Sequence, residues 1–128
     1  MKPLFHSTIV DIGELVPAFL QENTLILFNH DVPEELRDMA VLHTRSEQAE
    51  EVLPGDFLMI GDCLYRVTSV GEKANETLKT LGHCTIKADG RPTPQLPGTI
   101  HVEERAIPSL ESGTVVAFVR EKGSGGNL

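Results

Sequence analysis

Apolar residues along this chain recur in short bursts, alternating with polar ones inside the bursts and separated by turn-forming residues. The stretch DFLMIGDCLYRVTSV shows the pattern most plainly. Two apolar runs flank Gly61-Asp62, a Gly-X pair suited to the two-residue type II′ turn of a β-hairpin. Beyond it Leu64, Arg66, Thr68 and Val70 alternate with Tyr65, Val67 and Ser69, as a half-buried strand requires. STIVDI, TLILF, AVLH, HCTIKA, TIHVE and GTVVAFV are further strand candidates, with turn chemistry at Asp89-Gly90 and Pro97-Gly98. Gly55, Gly61, Gly71, Gly82, Gly90, Gly98 and Gly113 punctuate the chain at short intervals, the turn rhythm of an all-β sandwich or barrel.

Helical periodicity is scarce. GEKANETLKTLGH places Ala74, Leu78 and Leu81 on one face, and Gly82 stands where a left-handed residue would stop the helix. VPEELRDM predicts a turn or two, with Pro33 at its first position. The tail EKGSGGNL has nothing to bury. These elements predict an all-β chain: a small closed or nearly closed β-barrel with one or two short helices. One domain is expected over residues 1–120, with a flexible tail at 121–128.

Composition narrows the function classes. The 128 residues carry 19 acidic and 11 basic side chains, for a formal charge of −8. Such a surface repels phosphate backbones, and no basic cluster is interleaved with aromatics, so nucleic-acid binding is not expected. An acidic surface suits a basic protein partner, because complementary charge speeds encounter. No run approaches the roughly 18 apolar residues of a membrane span, and MKPLFHSTIVDIGELVP lacks the apolar core of a signal peptide. The expectation is a cytoplasmic protein without membrane insertion. Cys63 and Cys84 have no CxxC spacing and read as reduced residues of the core or its edge.

Five histidines, His6, His30, His43, His83 and His101, are the candidates for chemistry. None are spaced as local metal-ligand pairs, so no metal or other cofactor is expected. Phosphate-cradling and dinucleotide motifs are missing, as is GxSxG. His6 and His30 read as solvated residues. His83 and His101 lie on the polar sides of HCTIK and TIHVE, as surface or edge histidines or as neighbours of His43 if the strands are adjacent. His43 ends the apolar run AVLH and is followed by Thr44 and Arg45. A neutral imidazole there can act as a nucleophile, with one ring nitrogen free and the other held as N–H. The competing reading is a strand-end histidine that caps an edge.

TIVDIG, VLHTRSE, LPGDFLMIGDCLYRVTSVG, NETLKTLGHCTIKADG and LPGTIHVE, in that order, cover about residues 5–120. Together they resemble the glucitol/sorbitol-specific IIA component of the bacterial phosphoenolpyruvate:sugar phosphotransferase system. The resemblance implies a compact β-barrel and a phosphoryl carrier. His43 would accept a phosphoryl group from the phosphocarrier protein HPr and pass it to a cysteine of the cognate IIB domain. On that reading Thr44 is a possible hydrogen-bond donor to the phosphoryl group. His83, in the family-like LGH, is its partner histidine, with His101 in reserve and Arg45 weaker still. An apolar docking patch within reach of HPr is expected around His43, rimmed by some of the excess acids; Glu47, Glu50 and Glu51 are nearest in sequence, with a solvated charged run as the alternative reading. The alternative from another class is a non-catalytic β-barrel binding or regulatory module.

Overall fold

A computed structural model describes residues 1–46 and 48–122. Its longest strand, β1 (Lys2–Ile12), shows how the barrel closes. The first part of β1 pairs antiparallel with β8 (Val115–Arg120), and the second part with β3 (Val41–His43). An irregularity between Ile9 and Asp11 bends the strand from one partner to the other, as a bulge does. Strand β5 (Cys63–Val70) plays the same part opposite. It pairs with β4 (Phe57–Ile60) through Cys63–Arg66 and with β7 (Thr99–Val102) further on.

With β2 (Thr24–Asn29) and β6 (Cys84–Lys87), the order around the closed barrel is β1-β3-β2-β6-β7-β5-β4-β8. The β4–β5 turn is the expected hairpin: Ile60 pairs with Cys63, and Gly61 has φ +56°. Two junctions, β2–β3 and β6–β7, are parallel, so the barrel is mixed. Their crossovers carry a 3-10 helix (Glu34–Met39) and the long loop from Ala88 to Gly98.

Helix α1 (Val16–Gln21) joins β1 to β2 and was not anticipated. Helix α2 (Ala74–Leu81) lies where its periodicity puts it, burying Ala74 and Leu78. It ends at Gly82, whose φ of +62° is left-handed; Gly82 N–H donates to the Leu78 carbonyl and His83 N–H to the Thr77 carbonyl. The core is continuous, with Leu4, Phe5, Ile9, Leu25, Leu27, Tyr65, Ile86 and Phe118 among its fully buried members. The tail expected at 121–128 lies, from residue 123 on, outside the described residues. No helix among the described residues is long and apolar enough to cross a membrane.

Candidate functional site

His43 is the last residue of β3, and the strand's two neighbours fix what surrounds it. On one side it pairs with Ile9 of β1; on the other it pairs in parallel register with Asn29 of β2. Residues opposite one another on paired strands project to the same face, so the Asn29 side chain shares the His43 face. The backbone locks this register: His30 N–H donates to the His43 carbonyl at 2.9 Å, and Thr44 N–H donates to the Thr8 carbonyl at 2.9 Å.

The ring is sealed. His43 has 0 % exposure, and its edge packs against Phe5 with centroids 5.6 Å apart and planes at 88°. Nδ1 lies 2.8 Å from the Thr44 carbonyl oxygen, and Nε2 lies 2.8 Å from the Gly82 carbonyl oxygen. Both partners are acceptors. An imidazolium donates to both; a neutral ring donates to one and turns its remaining lone pair on the other. The expectation of a ring within reach of an incoming protein is therefore corrected: the α2 terminus covers it. The apolar AVLH run ends deeper than a strand edge because β1 and β2 flank β3 on both sides.

The wall over the ring is Gly82. A Cβ there would collide with the Asn29 carboxamide and lie 2.7 Å from His43 Cε1, so only glycine allows the approach. Asn29 is 6 % exposed, and its Oδ1 is buried with no hydrogen-bond partner. Asn29 also lines a cleft of about 190 Å³ with Phe28, Asp31, Arg45, Thr80 and Leu81. Larger grooves lie elsewhere and share none of these residues, among them one of about 440 Å³ against α1 and one of about 670 Å³ against the 48–54 loop.

The other residues singled out from sequence fall as follows. The Thr44 hydroxyl accepts the Thr8 N–H at 3.0 Å and extends the β1–β3 ladder, its own proton remaining available. His83 follows Gly82 directly. Its ring stacks on Phe28 at 4.0 Å and 10°, and its Nδ1 is 3.0 Å from the Leu27 carbonyl oxygen, so Nδ1 carries the proton. Both His43 nitrogens are occupied by carbonyls, so His83 reaches His43 through Gly82 and not ring to ring. Arg45 is exposed and ion-paired to Asp31 at 2.6 Å; that hydrogen bond holds the Asp31 carboxyl below the usual range.

His101 is elsewhere. Its partner across the parallel β6–β7 junction is Lys87, at the far end of β6 from His83. It is also not a surface residue: it has 0 % exposure, with Nδ1 2.8 Å from Asp89 Oδ1 and Nε2 accepting the Gln95 N–H at 3.2 Å. The 88–98 loop folds over the side of β7 that strand alternation assigned to solvent. Glu50 does not rim His43 either. It ion-pairs with Lys2, whose hydrogen bond leads in lowering its carboxyl, and with Arg120, at the opposite end of β1 from Ile9. Glu47 lies outside the described residues.

Two residues of the site escaped sequence reasoning. Asn29 stands between the apolar run TLILF and the solvated His30, and a lone carboxamide closing that run is the one irregularity that marks it. Gly82 was read as a helix stop, and its close approach to another strand has no local signature. Among the described residues no three His, Cys, Asp or Glu side chains converge as a metal-holding cluster.

The fold is that of a small protein built on a mixed, closed eight-stranded β-barrel, and comparison with known proteins places the chain in a family. Residues 4–117 match the family model of the PTS system glucitol/sorbitol-specific IIA component. The glucitol/sorbitol-specific EIIA components of Shigella flexneri and Escherichia coli K12 are each 31 % identical over 118 residues, 92 % of this chain and 96 % of theirs. A crystal structure of a PTS system IIA component from Enterococcus faecalis V583 superposes with a TM-score of 0.81 at 26 % identity, covering 89 % of this chain and 98 % of that one. The chain belongs to the glucitol/sorbitol-specific IIA component family of the sugar phosphotransferase system.

Proposed function

We propose that this chain is a cytoplasmic phosphoryl carrier that accepts phosphate from phospho-HPr on His43 and delivers it to the IIB cysteine during glucitol/sorbitol uptake. The observation that carries the reading is the Nδ1 contact with the Thr44 carbonyl. A neutral ring whose Nδ1–H donates there has its lone pair on Nε2, the nitrogen against the Gly82 carbonyl. In that tautomer the Nε2 lone pair and the Gly82 carbonyl oxygen oppose one another at 2.8 Å, which favours moving the carbonyl aside. Gly82 is the residue best able to do so, since glycine changes φ and ψ at the least cost.

With the carbonyl displaced, the lone pair of Nε2 attacks phosphorus in line, forming the N–P bond. The bond from phosphorus to the donor's ring breaks, and its electron pair stays with that ring. The second transfer runs in the same sense, with the IIB thiolate as nucleophile and the His43 ring as leaving group. Oriented donors carry the catalysis in such transfers. The Thr44 hydroxyl is one such donor, and His83 contributes by holding the strap that follows Gly82. Leu81, 50 % exposed at the cleft, offers the apolar contact for a partner.

One observation favours a second reading, a non-catalytic binding or regulatory barrel: the ring is fully covered. One experiment separates the two. The protein is incubated with enzyme I, HPr and labelled phosphoenolpyruvate, and label stable to alkali but lost in acid is scored. The carrier reading predicts stoichiometric label that vanishes in His43→Gln and forms more slowly in His83→Ala. Unchanged label in His43→Gln removes the assignment, and no label in the wild type leaves the non-catalytic module.

A further inference from the structure

From the unpaired carboxamide beside His43 we infer that Asn29 is a further catalytic residue, the group that meets the phosphoryl oxygens on Nε2. The inference rests on the carrier reading and adds a residue to it. Asn29 is 6 % exposed, yet its Oδ1 has no partner. A buried acceptor left without a hydrogen bond costs its full desolvation, so a carboxamide in such a place calls for a partner that arrives during function.

Its position says which partner. Register pairs Asn29 with His43, the point a Gly82 Cβ would occupy touches both side chains, and Asn29 is among the residues lining the cleft of about 190 Å³ that the α2 terminus borders. The Cβ position of Gly82 collides with Asn29 Oδ1 and lies 2.7 Å from His43 Cε1, so a shift of Gly82 away from Nε2 opens space that both side chains face. A half-turn about the Cβ–Cγ bond puts Nδ2–H where Oδ1 now stands, converting an acceptor that repels phosphate into a donor that binds it. The step remains balanced: Nε2 supplies the electron pair of the new N–P bond, the departing donor ring keeps the old one, and Asn29 donates a hydrogen bond without giving up its proton. Arg45, on the cleft's rim, is already engaged by Asp31, so the carboxamide joins the Thr44 hydroxyl as a donor to the phosphoryl group.

The test compares wild type, Asn29→Leu, Asn29→Asp and His43→Gln in single-turnover labelling from purified phospho-HPr, with thermal unfolding measured on each. Asn29→Leu removes an unpaired polar group at nearly constant volume, so its unfolding temperature is expected within a few degrees of wild type. Its labelling rate is expected to fall roughly 100-fold, the loss typical of one oxyanion donor. Asn29→Asp, with the same shape and a like charge facing the phosphoryl group, is expected to fall further; it decides the matter if Asn29→Leu does not fold. Wild-type rates in a folded Asn29 variant, with His43→Gln inert, overturn the role of Asn29 alone. Label persisting in His43→Gln, or no label in any protein, overturns the carrier reading and this inference with it.

Discussion

Replacing Gly82 with alanine adds one methyl group at the point where β2, β3 and the end of α2 meet. Its cost has two parts. At φ +62° a residue with a Cβ is strained by about 1 kcal/mol relative to glycine. The methyl also collides with the Asn29 carboxamide and lies 2.7 Å from His43 Cε1, inside contact distance of a ring that has no free side to move into. Overpacking of this kind costs about 1–3 kcal/mol. The sum is about 2–4 kcal/mol, and at roughly 3–5 °C per kcal/mol for a domain of this size the midpoint falls by about 6–20 °C. Calorimetry on the purified variant measures it. Gly82→Asn, which tolerates the left-handed region better, keeps the clash and loses part of the strain. The double variant Gly82→Ala with Asn29→Ala relieves half of the clash and is expected to show a coupling of about 1 kcal/mol. A Gly82→Ala midpoint within 2 °C of wild type, the order of effect a neutral surface substitution gives, refutes the close approach and with it the covering of His43.

Other consequences follow from the same structure. Asp56, 4 % exposed, takes hydrogen bonds from Arg120 at 2.8 and 3.0 Å and from the Leu53 N–H at 2.7 Å. Arg120→Leu leaves that carboxylate buried without its cation and is expected to cost about 3 kcal/mol in chemical denaturation, whereas Arg45→Leu at the exposed pair is expected to cost under about 1 kcal/mol. Asp89 is opposed by burial but held below the ordinary 3.8 by the His101 hydrogen bond and the Arg91 N–H. A depressed carboxyl stabilises the fold above its ordinary value and loses that contribution as pH falls through its folded one. Asp89→Asn should therefore lower the urea midpoint at pH 7 and converge on wild type in strong acid; a gap that persists there contradicts the pairing. Cys84 is buried and its thiol is pushed up to about 12, so it is expected to resist alkylation at pH 8 until the protein unfolds.

What the sequence disclosed was local. The Gly61-Asp62 hairpin, the stop at Gly82 and the strands themselves depend on residues a few positions apart, and each lies where its pattern put it. The barrel order was not legible, because nothing in TLILF, AVLH or TIHVE specifies parallel neighbours brought together across long crossovers. Alternation misled at TIHVE: period two distinguishes faces but assumes that one of them meets water, and all four residues of β7 are buried beneath a loop on one side and the core on the other. The same assumption left His43 at an edge when both of its flanks are strands. Helix α1 escaped because six residues beginning Val-Pro carry too little periodicity to separate from a loop. His43 itself was singled out by its chemistry and by the family resemblance; its seal by Gly82 and its neighbour Asn29 belong to tertiary register.

The most direct measurement of the central claim is nitrogen-15 and phosphorus-31 NMR on histidine-labelled protein during turnover with phosphoenolpyruvate, enzyme I and HPr. The account predicts one phosphorylated imidazole, His43, with phosphorus coupled to Nε2 and the proton retained on Nδ1. Phosphorus on a different residue, or on Nδ1 of His43, would contradict it.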